Sequence, residues 1–190
     1  MNKLLTFFAA CILALSTHVS ATLIDFDALA DGSYGTIGDT QFSLVGEGVT
    51  GDPYKNSFFG HYLYNSSSQF IFPTNTVLRV DFASAVKNLS FDLNGFGPES
   101  SLMNWRIFDD SYTEIAIGND ISASLAQYDL SAYSGINRIE FFNGGGNTNR
   151  FFGLNKISFD VQAASVPEPS TMFIFLLALV GLTSRRITLK

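Results

Sequence analysis

The chain has 190 residues, and its two ends read as targeting segments, which leaves residues 22–165 for a single domain, a length that suits one β-sandwich. Within that span seven Lys or Arg face sixteen Asp or Glu, a net charge of −9 that repels phosphate backbones and argues against nucleic acid as a partner. The one cysteine, Cys11, and one of the two histidines, His18, fall in the N-terminal segment, so the domain holds no disulfide, thiolate metal site or multi-histidine zinc site, and a Ser-His-Asp triad would have to use His61.

At the N-terminus Lys3 precedes an apolar run from Leu4 to Leu15, and Val19-Ser20-Ala21 supplies small residues for cleavage. This is the pattern of a secretory signal peptide over residues 1–21, with the mature chain starting at Thr22. The run is too short to span a bilayer. A lipoprotein reading, with Cys11 as the modified residue after Ala9-Ala10, is weaker because the apolar run continues through Ile12 and Leu13.

Runs of alternating hydrophobicity bounded by Gly, Asn, Asp, Ser or Pro predict strands at 22–27, 40–45, 69–72, 77–82, 87–93, 104–109, 114–117, 125–128, 137–142 and 155–161. Leu89, Phe91 and Leu93 point one way, and Ser90, Asp92 and Asn94 the other. Likewise Ile24 and Phe26 oppose Asp25 and Asp27, while Ile157, Phe159 and Val161 oppose Ser158 and Asp160. Such inward sets build an all-β, two-sheet antiparallel sandwich of jelly-roll type. Fifteen of the nineteen phenylalanines lie in the domain, enough aromatic area for a core without disulfides. The one stretch with any helical character, 124–133, reads as strand and turn.

The chemistry-bearing residues divide three ways. For sugar binding, Trp105, Tyr112, Tyr128 and Tyr133 beside Asn104, Arg106 and Gln127 would give rings and planar polar groups, with Tyr54, Tyr62 and Tyr64 around His61 as alternative ring donors. Because Trp105 alternates with Asn104 and Arg106, a core position is the better reading for it. For calcium, Asp25, Asp27 and Asp160 offer hard oxygens, though outward-facing solubilising acids are the simpler account of them. For hydrolysis, sixteen acids make some close carboxylate pair inevitable, and no Gly-x-Ser-x-Gly elbow occurs in the domain. The expectation is a non-catalytic protein, with a secreted glycan hydrolase as the third choice.

The C-terminal segment, residues 166–190, begins Val166-Pro167-Glu168-Pro169, where proline keeps the chain extended ahead of a helix over residues 170–184. Eight strongly apolar residues there favour membrane insertion by about 4 kcal/mol, and at ~1.5 Å per residue the helix spans about 22 Å, short of a ~30 Å hydrocarbon core. Arg185, Arg186 and Lys190, in the basic end 185–190, would hold the C-terminus in the cytoplasm and leave the domain outside.

This three-part tail resembles the PEP-CTERM sorting domain of Gram-negative bacteria. The resemblance implies an exosortase, a membrane-embedded processing enzyme, as partner, with Pro167, Glu168 and Pro169 as its recognition residues, a transient transmembrane helix, and Arg185-Arg186 as the stop. The same tail is also known as an ice-binding protein C-terminal motif, yet the repeated Thr or Ala rows of an ice-binding face do not occur between Thr22 and Ser165. Residues 23–27 and 152–159 resemble the sandwich domains that precede such tails. Related jelly-roll carbohydrate-binding modules often hold a structural Ca²⁺ between first and last strands, which implies that ion here, although this chain has Asn155 where an acid is usual and Lys156 adds a positive charge. Together these imply an exported protein of the cell envelope or extracellular matrix, anchored first in the inner membrane and engaging surface polysaccharide, or else a structural or adhesive surface protein without sugar specificity.

Overall fold

Period-two alternation in the middle of the chain becomes a strand of 20 residues, β7 (Val77–Phe96), around which the other strands assemble. The computed structural model describes residues 21–46, 50–58, 60–68, 76–96, 103–121, 126–143 and 151–162. Residues 1–20 of the expected leader, the strand expected at 69–72 and the sorting tail lie outside the described residues. The remaining strands are β1 (Ala21–Asp25), β2 (Gly32–Ser33), β3 (Thr36–Ile37), β4 (Thr40–Val45), β5 (Tyr54–Asn56), β6 (Tyr62–Tyr64), β8 (Met103–Phe108), β9 (Glu114–Ile121), β10 (Ala126–Asp129), β11 (Ser134–Asn143) and β12 (Phe151–Val161).

All the ladders are antiparallel, and β7 takes part in two of the layers. Its first part, Val77 to Phe82, lies between β4 and β11; Val86 to Phe96 lies against β12, with β11 still on the other side at Val86 and Lys87 and β10 at Ser90 to Leu93. The change of partner falls at Ala83 to Ala85, where Ala83 N–H donates to the Asp39 carbonyl and the Ala85 carbonyl accepts from Gln162. A strand that switches sheets at a bend is one way a sandwich turns its corner. The first sheet therefore runs β3-β4-β7-β11-β8-β9 and the second β2-β5-β6-β12-β7-β10, with β1 on the free stretch of β12.

Rings from the two layers meet in the middle. Phe91 of the second sheet touches Phe141 and Trp105 of the first at centroid distances of 4.9 and 6.5 Å, and Phe82 meets Phe159 at 4.8 Å. Phe26 packs edge-on against Phe42 at 5.7 Å. Burying a ring of this size contributes about 1.5–3 kcal/mol, and the phenylalanines share the core with a larger set of leucines, isoleucines and valines.

Two bulges preserve the inward set where simple alternation would break. Asn88, at φ 51°, adds a residue to β7 opposite Phe159, so that Leu89, Phe91 and Leu93 continue the buried row begun at Val86. Asn155 adds one to β12 between Leu154 and Lys156, at the point where the outer neighbour of β12 changes from β6 to β1.

The structure corrects the strand expectations in several places. Phe26 to Ala28 forms a 3-10 turn rather than continuing β1, because the Asp25 carboxylate accepts the Asp27 N–H and caps it. The strands expected at 77–82 and 87–93 are one bent strand. Val161, expected inward, is exposed at the end of β12. The short strands β2, β3, β5 and β6 carry too few residues for a period to show.

Candidate ligand-binding face

The outer face of the first sheet is set by register. One row crosses five strands as Ser43, Arg79, Glu140, Arg106 and Ile117, and the next as Gln41, Asp81, Arg138 and Phe108. Their neighbours Val80, Ile139 and Ile107 face the core, so alternation alone turns these charged residues outward.

Glu140 is the centre of the first row. Arg79 Nε donates to its Oε1 at 2.9 Å, and Arg106 donates to its Oε2 through Nε and Nη2 at 2.8 and 2.7 Å. Lying under both guanidinium groups, its side chain is only 3% exposed. Arg106 also lies over the rings of Phe108 and Phe142, 5.3 and 5.2 Å from their centroids, and is held in one plane by carboxylate and rings together.

In the second row Arg138 Nε donates to Asp81 at 2.6 Å, and the guanidinium stacks on Tyr112 at 4.2 Å. Tyr112 is 60% exposed. It sits at φ 59° in the β8–β9 turn, a conformation that non-glycine residues rarely adopt. The turn is fixed by Asp109, whose carboxylate accepts from the Thr113 and Ser111 N–H groups; those bonds hold its pKa below the usual carboxylate range. Asp39, Gln41, Asp81, Asp110, Tyr112, Asn137 and Arg138 line a groove of about 330 Å³ at this end of the face. The result is an open surface with an exposed ring, clamped planar donors and carboxylate and amide groups along the groove, a set that suits a polyhydroxylated ligand.

Of the four rings expected as ligand platforms, the structure brings only Tyr112 to this face. Trp105 is 8% exposed and faces the core, where its indole lies over Gly118. Tyr128 stacks on Phe91 at 5.1 Å, its hydroxyl pKa raised by burial, and Tyr133 packs against the core. Asn104 and Arg106 point outward as expected, Arg106 into the ion-pair row. The alternative donors lie elsewhere: Tyr64 is buried, and Tyr62 accepts a hydrogen bond from Asn94 on the second sheet. Phe108, Phe142, Arg79, Glu140 and Arg138 were not singled out by the sequence. Charged residues recurring at every second position of predicted strands were the available signal, but which strands are neighbours is a property of topology.

The three acids considered for calcium do not converge. Asp160 stands opposite Ala21 across the β1–β12 ladder and accepts from Asn88, whereas Asp25 stands opposite Lys156 at the other end of β1. Asn155 Nδ2 donates to Asp27 Oδ1 at 3.2 Å and reaches the His61 carbonyl at 3.5 Å, and Lys156 Nζ lies 3.3 Å from Asp25. Among the described residues no three acids, histidines or cysteines form a metal-holding group. Asn155 and Lys156 direct donors at one oxygen each of Asp27 and Asp25, and Asp160 lies apart from both, so the three acids as placed do not assemble the oxygen cage that ion requires.

Comparison with known proteins places a PEP-CTERM protein-sorting motif at residues 165–187. No curated protein matches the chain. Solved structures similar to it include a family two carbohydrate esterase from Cellvibrio japonicus, at 15% identity and TM-score 0.43, covering 76% of this chain and 35% of that one. A fucose binding module from Streptococcus pneumoniae is 15% identical, with TM-score 0.43 and coverage of 70% and 96%. A family 29 carbohydrate binding module is 11% identical, with TM-score 0.42 and coverage of 75% and 90%. The chain spans about a third of the esterase's length.

Proposed function

We propose that this chain, which carries a PEP-CTERM sorting motif, is an exported, non-catalytic envelope or matrix protein whose sandwich binds polysaccharide on the outer face of the first sheet. An exosortase acts near Pro167-Glu168-Pro169 and sends the domain to the cell surface. The observation that carries the binding reading is the exposed Tyr112 ring beside clamped Arg138 at the mouth of the groove. A ring with a free face stacks on the apolar side of a pyranose, while the flanking amide and carboxylate groups meet its hydroxyls.

Affinity electrophoresis of the mature domain through gels containing individual polysaccharides tests this. Retardation by at least one glycan is expected, with Tyr112→Ala binding about tenfold more weakly, the scale of one stacking contact. Retardation by none, with circular dichroism showing a folded domain, would remove the reading.

One observation favours the adhesive alternative. Ile115 and Ile117 are exposed on β9, which ends the first sheet and has no ladder partner on its far side among the described residues. Concentration-dependent self-association abolished by Ile117→Lys would support that role instead.

A further inference from the structure

Resting on the reading of this face as a glycan surface, we infer that the row Arg79, Glu140, Arg106 seats a carboxylate of the ligand, which makes the ligand class an acidic, uronate-type polysaccharide. Two guanidinium groups share one carboxylate there, so a positive charge is left over on a domain whose net charge is −9. The outer face of the second sheet carries Lys87 and Lys156 against Asp25, Asp92, Asp129 and Asp160, with no comparable local surplus of positive charge. At physiological ionic strength fields die away over about 8 Å, so a ligand group on this row responds to the row before it responds to the rest of the domain.

Stability does not explain the row. A buried carboxylate with two arginine partners is commonly matched or bettered by apolar side chains of similar volume, so the arrangement is better understood as holding the arginines in place. Glu140 is then a positioning residue. It fixes two guanidinium forks whose side chains remain 27% and 38% exposed, and the rings of Phe108 and Phe142 fix the plane of the second. Planar forks held this way are suited to bidentate capture of a carboxylate. The polarity of the face gives the ligand a direction. Arg138 is neutralised by Asp81, and Asp39 and Asp110 lie on the groove beyond it, so the acid group seats at the Arg79–Arg106 row with the neutral part of the sugar toward Tyr112.

The test pairs each acidic polysaccharide with a form whose carboxylate is masked: polygalacturonate with its methyl ester, alginate and hyaluronan with their carboxyl-reduced products. Titration calorimetry of the mature domain should give at least tenfold tighter binding for the acidic member of a pair that binds. Arg106→Gln should erase that preference. The triple variant Arg79→Leu, Glu140→Leu, Arg106→Leu should erase it as well, in a row refilled with apolar volume so that folding is retained. Equal affinity for both members, in a domain that does bind glycan, would overturn the carboxylate inference and leave the glycan reading standing. A folded domain that binds none of the glycans would overturn both.

Discussion

A Cβ built on Gly118 would lie 2.3 Å from Cε2 of Trp105 and 2.4 Å from its Nε1. The two residues are cross-strand partners in the β8–β9 ladder, and the absence of a side chain on one makes room for the indole of the other. Trp105 is the only tryptophan in the chain, so tryptophan emission reports on the surroundings of this one ring. Gly118→Ala should destabilise the domain by about 1–3 kcal/mol, the usual cost of overpacking, and shift the emission to the red as the ring is pushed outward. An unchanged melting temperature and spectrum would show that β9 yields without cost.

Lys55 offers a test by pH. Its ammonium is buried and sits 2.8 Å from Asp31, whose carboxyl also accepts from Ser57; these two hydrogen bonds lower the Asp31 pKa to about 2. The folded value is depressed below the ordinary ~3.9, so the linked stability is fully present above pH 4 and is lost as pH falls through about 2. Asp31→Asn should lower the melting temperature at pH 7 and flatten its fall between pH 4 and pH 2. Melting curves of parent and variant that stay parallel through that window would show that the pair contributes nothing.

How much of this was legible in advance depends on the range of the interaction. Alternation placed Leu89, Phe91, Leu93, Ile157 and Phe159 in the core, because a strand's two faces are decided locally. Trp105 was assigned to the core by the same alternation. The bend at Ala83 to Ala85 contains Ser84, a residue type that often bounds strands, and so one strand whose partners change there read as two. The Arg79, Glu140, Arg106 row was invisible for a related reason: its members lie 27 to 61 positions apart and meet only through register. Only Tyr112 of the expected rings reaches the face, because ring exposure depends on which sheet covers it.

At Asn155 a single atom should change the behaviour of the site. Asn155→Asp would replace the amide that donates to Asp27 with a second carboxylate and cost about 1–2 kcal/mol at neutral pH. The new group has a raised pKa beside Asp27, so the cost should vanish below pH 4 and grow as pH rises through the folded pKa. EDTA should leave the parent's melting temperature unchanged, because Asn155 and Lys156 already meet the carboxylates. A parent that loses stability on chelation would contradict this account.

For the tail, intact mass of the product from a host carrying a matching exosortase should show loss of the segment after Pro169, and a host without the enzyme should retain it. Glu168→Ala should restore the full mass in the first host. An uncut tail in both hosts would make the domain a membrane-tethered module.

The pairing of Ala21 with Asp160 and of Asp25 with Lys156 joins the first described strand to the last. Roughly 130 residues separate the partners, so this ladder has among the highest contact orders in the domain and must wait for nearly all of it to be available. A chain threaded through a membrane from its N-terminus thus leaves β1 waiting until β12 has crossed. A chain exported in that way would keep its sandwich incomplete until the β1–β12 ladder could close.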